Sequence, residues 1–287
     1  MKSTHKLLKS IVHPTSLYGA GIWGSGYFEQ LERVQQFFFK RILQIPRATP
    51  GYFVRVETGT LHTRFEVLKQ VYGFWVRILT SKADSLVRAA YDELRRVSAS
   101  LDAEEAKYSW CRQLEIVLEE LNLHHLWKSG SANSVLRSRA LFLQSLESSC
   151  RTFDLDQVKK SSFIPHYHSI LPIKRSAPYL NFNLPLYTIR KIVQIRLNLN
   201  TIFYEDRVID LGMWEEKFCK FCGNQLSLSH ALCECPNNVK LRQQLSFTCT
   251  DQLSYLNFLS DIANVKHTSI QYKNIYVFVQ NVIKNYV

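Results

Sequence analysis

The sequence predicts an all-α protein: a multi-helix bundle with a smaller helical domain at its C-terminal end. Apolar residues recur at spacings of three and four through the first two-thirds of the chain. Prolines then gather in one aperiodic stretch, and cysteines crowd into one short segment beyond it. From Tyr27 to Ile45 the residues Phe28, Leu31, Val34, Phe38, Ile42 and Ile45 form the stripe of an amphipathic helix, which Pro46 and Pro50 end. A second helix is predicted from Leu61 to Leu79, with Phe65, Leu68, Val71, Tyr72, Trp75 and Leu79 inward and Arg64, Lys69 and Arg77 outward.

Further helices fit Ala83 to Val97, Ala103 to Leu121 behind the capping residue Asp102, and Ser134 to Cys150. Residues 151–185 lose the period and hold Pro165, Pro172, Pro178 and Pro185 among polar residues and exposed-looking tyrosines, the composition of an extended linker. Helical pattern returns at Tyr187 to Asn198, then at Asn238 to Phe247, Asp251 to Ile262 and Tyr272 to Val282. The expected domains are therefore 1–150, a linker 151–185, and 186–287.

Composition narrows the function classes. The chain has 287 residues, long enough for a sizeable core, and no apolar run approaches the roughly 18 residues of a membrane span. Lys2, Lys6 and Lys9 precede an apolar stretch that His13-Pro14 cuts short of signal-peptide length, so an intracellular location, nucleus or cytoplasm, is expected. The formal charge of +12 makes an anionic polymer a natural partner, and nucleic acid is expected in that role. The basic residues are dispersed, with no run longer than a pair such as Arg95-Arg96, Lys159-Lys160 or Lys174-Arg175. Neither a membrane nor a small-molecule substrate is indicated, and nothing specifies a protein partner.

Four of the seven cysteines lie between positions 219 and 235, while Cys111, Cys150 and Cys249 are scattered and read as small core residues in a reducing compartment. The cluster runs Cys219-x2-Cys222-x7-His230-x4-Cys235. Thiolates with one imidazole suit a tetrahedral structural Zn2+. Two cysteines separated by two residues can face one ion across a tight turn, for which Gly223 supplies the backbone freedom. Ser229 offers a helix cap before His230, and Pro236 curtails the turn. Cys233 rivals Cys235 as fourth ligand, because it stands three residues from His230 on one helical face, and spacing leaves the choice open.

Two blocks of sequence resemble the C-terminal region of a jockey-like non-LTR retrotransposon reverse transcriptase. The first comprises HPTSLYGAGIWG and the segment from Leu31 to Leu79, similar to the thumb that follows the polymerase palm. The second is IRLNLNTIFYEDR with the cysteine cluster and its trailing Glu-Cys-Pro, similar to the knuckle that closes those proteins. The resemblance implies Cys219, Cys222, His230 and Cys235 as the ligands, and helices around residues 27–80 that served a template and primer duplex. The palm carboxylates that hold catalytic metals in that family have no counterpart, since the chain contains no Asp-Asp pair. Asp154 and Asp156 read as solvated loop residues. The expected function is thus a non-catalytic nucleic-acid-binding remnant. A zinc-stabilised helical protein-interaction module and a fragment of a larger active polymerase are the alternatives.

Lys174, Arg175, Arg190, Lys191 and Arg196 interleave with Tyr167, Tyr179, Phe182 and Tyr187. The expected nucleic-acid contacts are Lys174, Arg175, Tyr179, Arg190, Lys191 and Arg196, with tyrosine for stacking and cations for phosphate. Gly19-Ala20-Gly21-Ile22-Trp23-Gly24 spells a dinucleotide fingerprint. Trp23 would crowd a pyrophosphate and no acidic strand end follows, so a helix-ending turn is the better reading. His62, His124 and His125 lack a ligand cluster and read as surface or capping groups.

Overall fold

The computed structural model describes residues 2–102, 105, 108–164, 166–172, 177–197, 199, 201–204, 207–210, 217–245, 251–265 and 267–287. The fold is all-α, as expected, with one added two-stranded antiparallel hairpin, Thr201–Tyr204 with Arg207–Asp210, in which Thr201 faces Asp210. The helices divide between two compact units. One comprises residues 7–35 and 61–153; the other comprises residues 1–6, 36–60 and 154–287. This division differs from the expected succession of domains, because residues 36–60 group with the C-terminal half. Of the four points where the chain passes from one unit to the other, two fall inside long helices, Phe28–Leu43 and Arg139–Lys160.

The first unit has an apolar, aromatic core. Helix Arg64–Thr80 buries Val67, Leu68, Val71, Tyr72, Trp75, Ile78 and Leu79, as the apolar stripe predicts. Phe142 stacks on Tyr72 with centroids 4.2 Å apart, and Trp127 lies 5.8 Å from Trp75, pairs worth roughly 0.5–1.5 kcal/mol each beyond their buried area. Two polar handles are satisfied: Tyr72 Oη donates to Val135 O at 2.5 Å, and Trp75 Nε1 donates to Tyr91 Oη at 3.0 Å. Helices Leu86–Ser98, Trp110–Glu120 and Ala132–Arg137 start behind Ser85, Ser109 and Ser131, whose hydroxyls accept first-turn N–H groups. Asp102 accepts from the helical Glu105 N at 2.8 Å, the capping bond expected, and helix Trp110–Glu120 has a further cap at Ser109.

The fingerprint glycines in this unit serve packing. Gly19 takes φ +68° at the start of helix Ala20–Trp23, the left-handed turn expected. A Cβ on Gly24 would lie 2.8 Å from Val67 Cγ1, and one on Gly21 would lie 3.0 Å from Gln70 O. Only glycine lets Ala20–Trp23 approach Arg64–Thr80 so closely. Phosphate binding plays no part in that constraint.

The second unit is organised around charge. A helix absent from the sequence reading, Gly51–Thr58, begins behind Pro50, whose extended backbone at ψ 140° caps it, while the preceding helix has already ended at Leu43. It places Glu57, fully buried, against the equally buried Arg196 of helix Leu186–Arg196: Arg196 Nε donates to Glu57 Oε1 at 2.6 Å and Nη2 to Oε2 at 3.1 Å. The Tyr167 hydroxyl donates to Glu57 Oε2 at 2.5 Å and the Tyr179 hydroxyl to Oε1. Burial raises the carboxyl pKa, but the charge and bonds of Arg196 outweigh it, so Glu57 stays below the usual range. Arg196 also donates to the carbonyls of Ile170 and Leu259, which ties two further segments to one cation.

Residues 151–185 are therefore no extended linker. Helix Arg139–Lys160 covers their beginning, and Tyr167, Ile170, Tyr179 and Leu180 are core residues, held by the demand of the Glu57 carboxylate for donors. Asp154 is likewise not a solvated loop residue. It lies buried on that helix, where Arg55 Nε donates to its Oδ2 at 2.8 Å. Asp156 lies on the same helix, partly buried.

Candidate metal centre

The second unit also carries the cysteine cluster, which begins as a knuckle. Phe218 and Gln225 pair across a tight turn in which Cys219 N donates to Asn224 O at 2.7 Å and Gly223 N to Cys219 O at 2.8 Å. Gly223 has φ +74°, the left-handed geometry for which glycine is suited. The turn aims Cys219 and Cys222 at one point.

A widened helical turn, His230–Glu234, supplies the other half. Its cap is Ser227, whose hydroxyl accepts from His230 N at 3.0 Å; Ser229 is itself helical and makes no cap bond, contrary to expectation. Cys235 N donates to His230 O at 2.8 Å across five residues, and Cys235 then turns to extended backbone. This wide turn brings Cys235 round to the ligand side. Cys233 is buried and disulfide-bonded, so it is neither the fourth ligand nor a free core thiol.

The donor atoms of Cys219, Cys222, His230 and Cys235 all lie within 4.8 Å of one another, an arrangement that could hold a metal ion. Cys219 Sγ and Cys235 Sγ are 3.7 Å apart, and Cys222 Sγ is 3.3 Å from His230 Nε2. Nδ1 of His230 points away, buried and without a hydrogen bond, with the Glu234 carboxylate 3.6 Å distant, beyond the reach of the bond that commonly orients a metal-binding imidazole. Burial raises the Cys219 thiol pKa, but the backbone N–H groups of Phe221 and Cys222 and the His230 ring outweigh it, so it falls to about 6. Cys222 moves upward: its lowering by Asn224 N–H is overcome by burial and the neighbouring Cys219 and Cys235 sulfurs. Crowded thiolates resist ionising together, and a bound dication removes that conflict.

Residues that spacing could not reveal surround the cluster. Asn238 Nδ2 donates to Ala231 O at 2.9 Å and to Tyr286 Oη at 3.0 Å, and Asn285 Nδ2 donates to Asn238 Oδ1, which fastens the turn to the helix Ser269–Tyr286. The Phe221 ring packs on Tyr286 at 5.6 Å. Arg242 is buried with its pKa lowered by burial, in a field that Cys235 and Tyr286 partly offset. Tyr286 and Asn285 lie some fifty residues from the cluster, beyond any motif.

The expected nucleic-acid residues do not form one surface. Tyr179 and Arg196 belong to the buried Glu57 network, and Lys191 is buried on the same helix, where desolvation lowers its pKa to about 8. Helix Leu186–Arg196 is buried at eight of its eleven residues, so its cations Lys191 and Arg196 are interior groups. Arg190 is half-buried and donates through Nε to Ile42 O at 2.7 Å. Lys174 and Arg175 lie outside the described residues, as does Cys249. Cys111 and Cys150 are buried thiols, as expected, and burial pushes the former up to about 12.

His62 is a capping group: its Nδ1 accepts from Arg64 N at 3.0 Å. In the first unit Glu115, Glu119 and His124 form another grouping of possible ligand atoms. Arg112 Nη1 lies 2.6 Å from Glu115, and His124 Nε2 lies 3.1 Å from the same carboxylate, so the acid already has a guanidinium and an imidazole as partners. Compared with protein-family models, curated proteins and solved structures, the chain matches none. No described helix is long and apolar enough to cross a membrane.

Proposed function

We propose that the chain is a non-catalytic nucleic-acid-binding protein whose C-terminal segment is folded by one structural zinc ion. The convergence of Cys219 Sγ, Cys222 Sγ, His230 Nε2 and Cys235 Sγ carries this reading. A Zn–S bond of about 2.3 Å sets two sulfurs of a tetrahedral site about 3.8 Å apart. Cys219 and Cys235 are 3.7 Å apart. Four protein ligands leave no position for an activated water, so the ion contributes folding energy and no chemistry.

The formal charge of +12 supports an anionic polymer as the partner. The resemblance to the closing region of a retrotransposon reverse transcriptase favours RNA or DNA as that polymer, and the chain lacks the paired aspartates of the polymerase palm. Metal analysis of the purified protein should return one zinc per chain, lost in Cys235→Ser and retained in Cys233→Ser. Binding to a labelled oligonucleotide should weaken steeply between about 50 and 200 mM salt. Full zinc occupancy in Cys235→Ser rejects the ligand set. Affinity independent of salt rejects the partner.

A further inference from the structure

The C-terminal turn of helix Phe28–Leu43 builds a pocket that the metal cluster does not explain. It has a volume of about 380 Å³, is open to solvent, and is lined by Phe37, Lys40, Arg41, Gln44, Arg47 and Arg190. Four of these are basic, and none of its lining residues is acidic.

Two of the cations already serve the turn. Lys40 Nζ donates to Arg47 O at 2.8 Å, and Arg190 Nε to Ile42 O at 2.7 Å. The carbonyl end of a helix carries roughly half a negative charge, which disfavours an anion. Against four cations that half charge loses, and Arg190 masks one of the carbonyls that carry it. Gln44 closes the turn at φ +53°, with Ile45 N bonded to Lys40 O at 2.9 Å and Gln44 O accepting from Gln194 Nε2 at 3.1 Å. The wall is thus formed before any ligand arrives, which lowers the ordering cost of binding.

Arg41 and Arg47 are exposed, and guanidinium groups match phosphate oxygens in pairs. Phe37, 62% exposed, precedes Arg41 by four residues and so shares its helix face. An exposed aromatic face beside a phosphate-sized cluster of cations is what one stacked nucleotide requires. The open mouth obstructs neither end of a continuing strand.

We propose that this pocket takes one nucleotide of a single-stranded nucleic acid, its phosphate on Arg41, Arg47 and Arg190 and its base on Phe37. The assignment rests on the nucleic-acid-binding reading above. The test is titration of a labelled single-stranded oligonucleotide across a salt series, with circular dichroism melts confirming that each variant folds. Arg41→Ala/Arg47→Ala should lose at least about tenfold in affinity, and its log–log salt slope should be shallower by about 1.4, for two lost phosphate contacts. Phe37→Ala should lose about five- to a hundredfold with its slope unchanged. Lys159→Ala/Lys160→Ala removes the same charge from exposed positions in the same unit and should stay within about threefold of the parent. Equal losses in the two double variants would overturn the pocket while leaving nucleic-acid binding intact, and so would a neutral Phe37→Ala. If the parent protein binds no oligonucleotide at all, the functional reading falls and takes the pocket assignment with it.

Discussion

The two units solve the problem of a stable interior differently. In the unit of residues 7–35 and 61–153, Tyr72, Trp75, Trp127 and Phe142 pack ring on ring, and the few polar tips find local partners. In the unit of residues 1–6, 36–60 and 154–287, a carboxylate, a guanidinium and two phenols occupy the centre, and a separate cluster of thiols and one imidazole organises the segment from 217 to 245. The apolar core tolerates imperfect neighbours and loses stability by increments. The ionic core and the ligand cluster are all-or-none, because an unpaired buried charge or a missing ligand leaves the remaining groups stranded.

If the cluster holds the metal proposed above, that contrast can be broken by removing it. Chelation or Cys219→Ser should cost the C-terminal segment on the order of 10 kcal/mol and abolish amide protection in residues 217–245, while amides of helix Arg64–Thr80 keep theirs. Equal loss of protection in both units would erase the distinction. Glu57→Ala, which leaves Arg196 buried without its carboxylate, should destabilise by about 3–5 kcal/mol in denaturant unfolding. A cost below about 1 kcal/mol would mean that the pair contributes specificity and little stability.

In the aromatic unit, Gly24→Ala forces a methyl against Val67 and Ala20 and should cost about 1–3 kcal/mol, read as a lower thermal midpoint. The smallest effect is a gain. Lys191→Met removes a cation whose folded pKa, about 8, lies below its ordinary 10.5, so it should raise stability at pH 7 by about 1–2 kcal/mol. The unfolded state binds the extra proton between those values. The advantage of the variant is therefore complete below about pH 8 and gone by about pH 10.5, which unfolding curves at several pH values would reveal.

The same contrast governs what the sequence makes legible. Apolar stripes announce helices Phe28–Leu43 and Arg64–Thr80, and Cys219, Cys222 and His230 stand out by spacing, since these are local patterns. The choice of Cys235 over Cys233 needs the widened turn His230–Glu234, which no spacing reveals. Tyr167, Tyr179 and Arg196 mislead because their burial depends on Glu57, 110 to 139 residues away. No window of periodicity spans that distance. Pro50 misleads because a proline read as a helix stop equally suits the residue just before a helix, which is the place it takes here.

The discontinuous build of the charge-centred unit sets an order on biosynthesis. Residues 7–35 and 61–153 are complete once the ribosome has passed position 153, and a domain generally folds as soon as it is whole. Residues 36–60 emerge early but must wait, with Glu57 lacking its donors, until Tyr167, Tyr179 and Arg196 have been translated. During that interval a carboxylate made for the interior remains in water. Only after the later segments arrive can residues 36–60 join residues 154–287 in one compact unit.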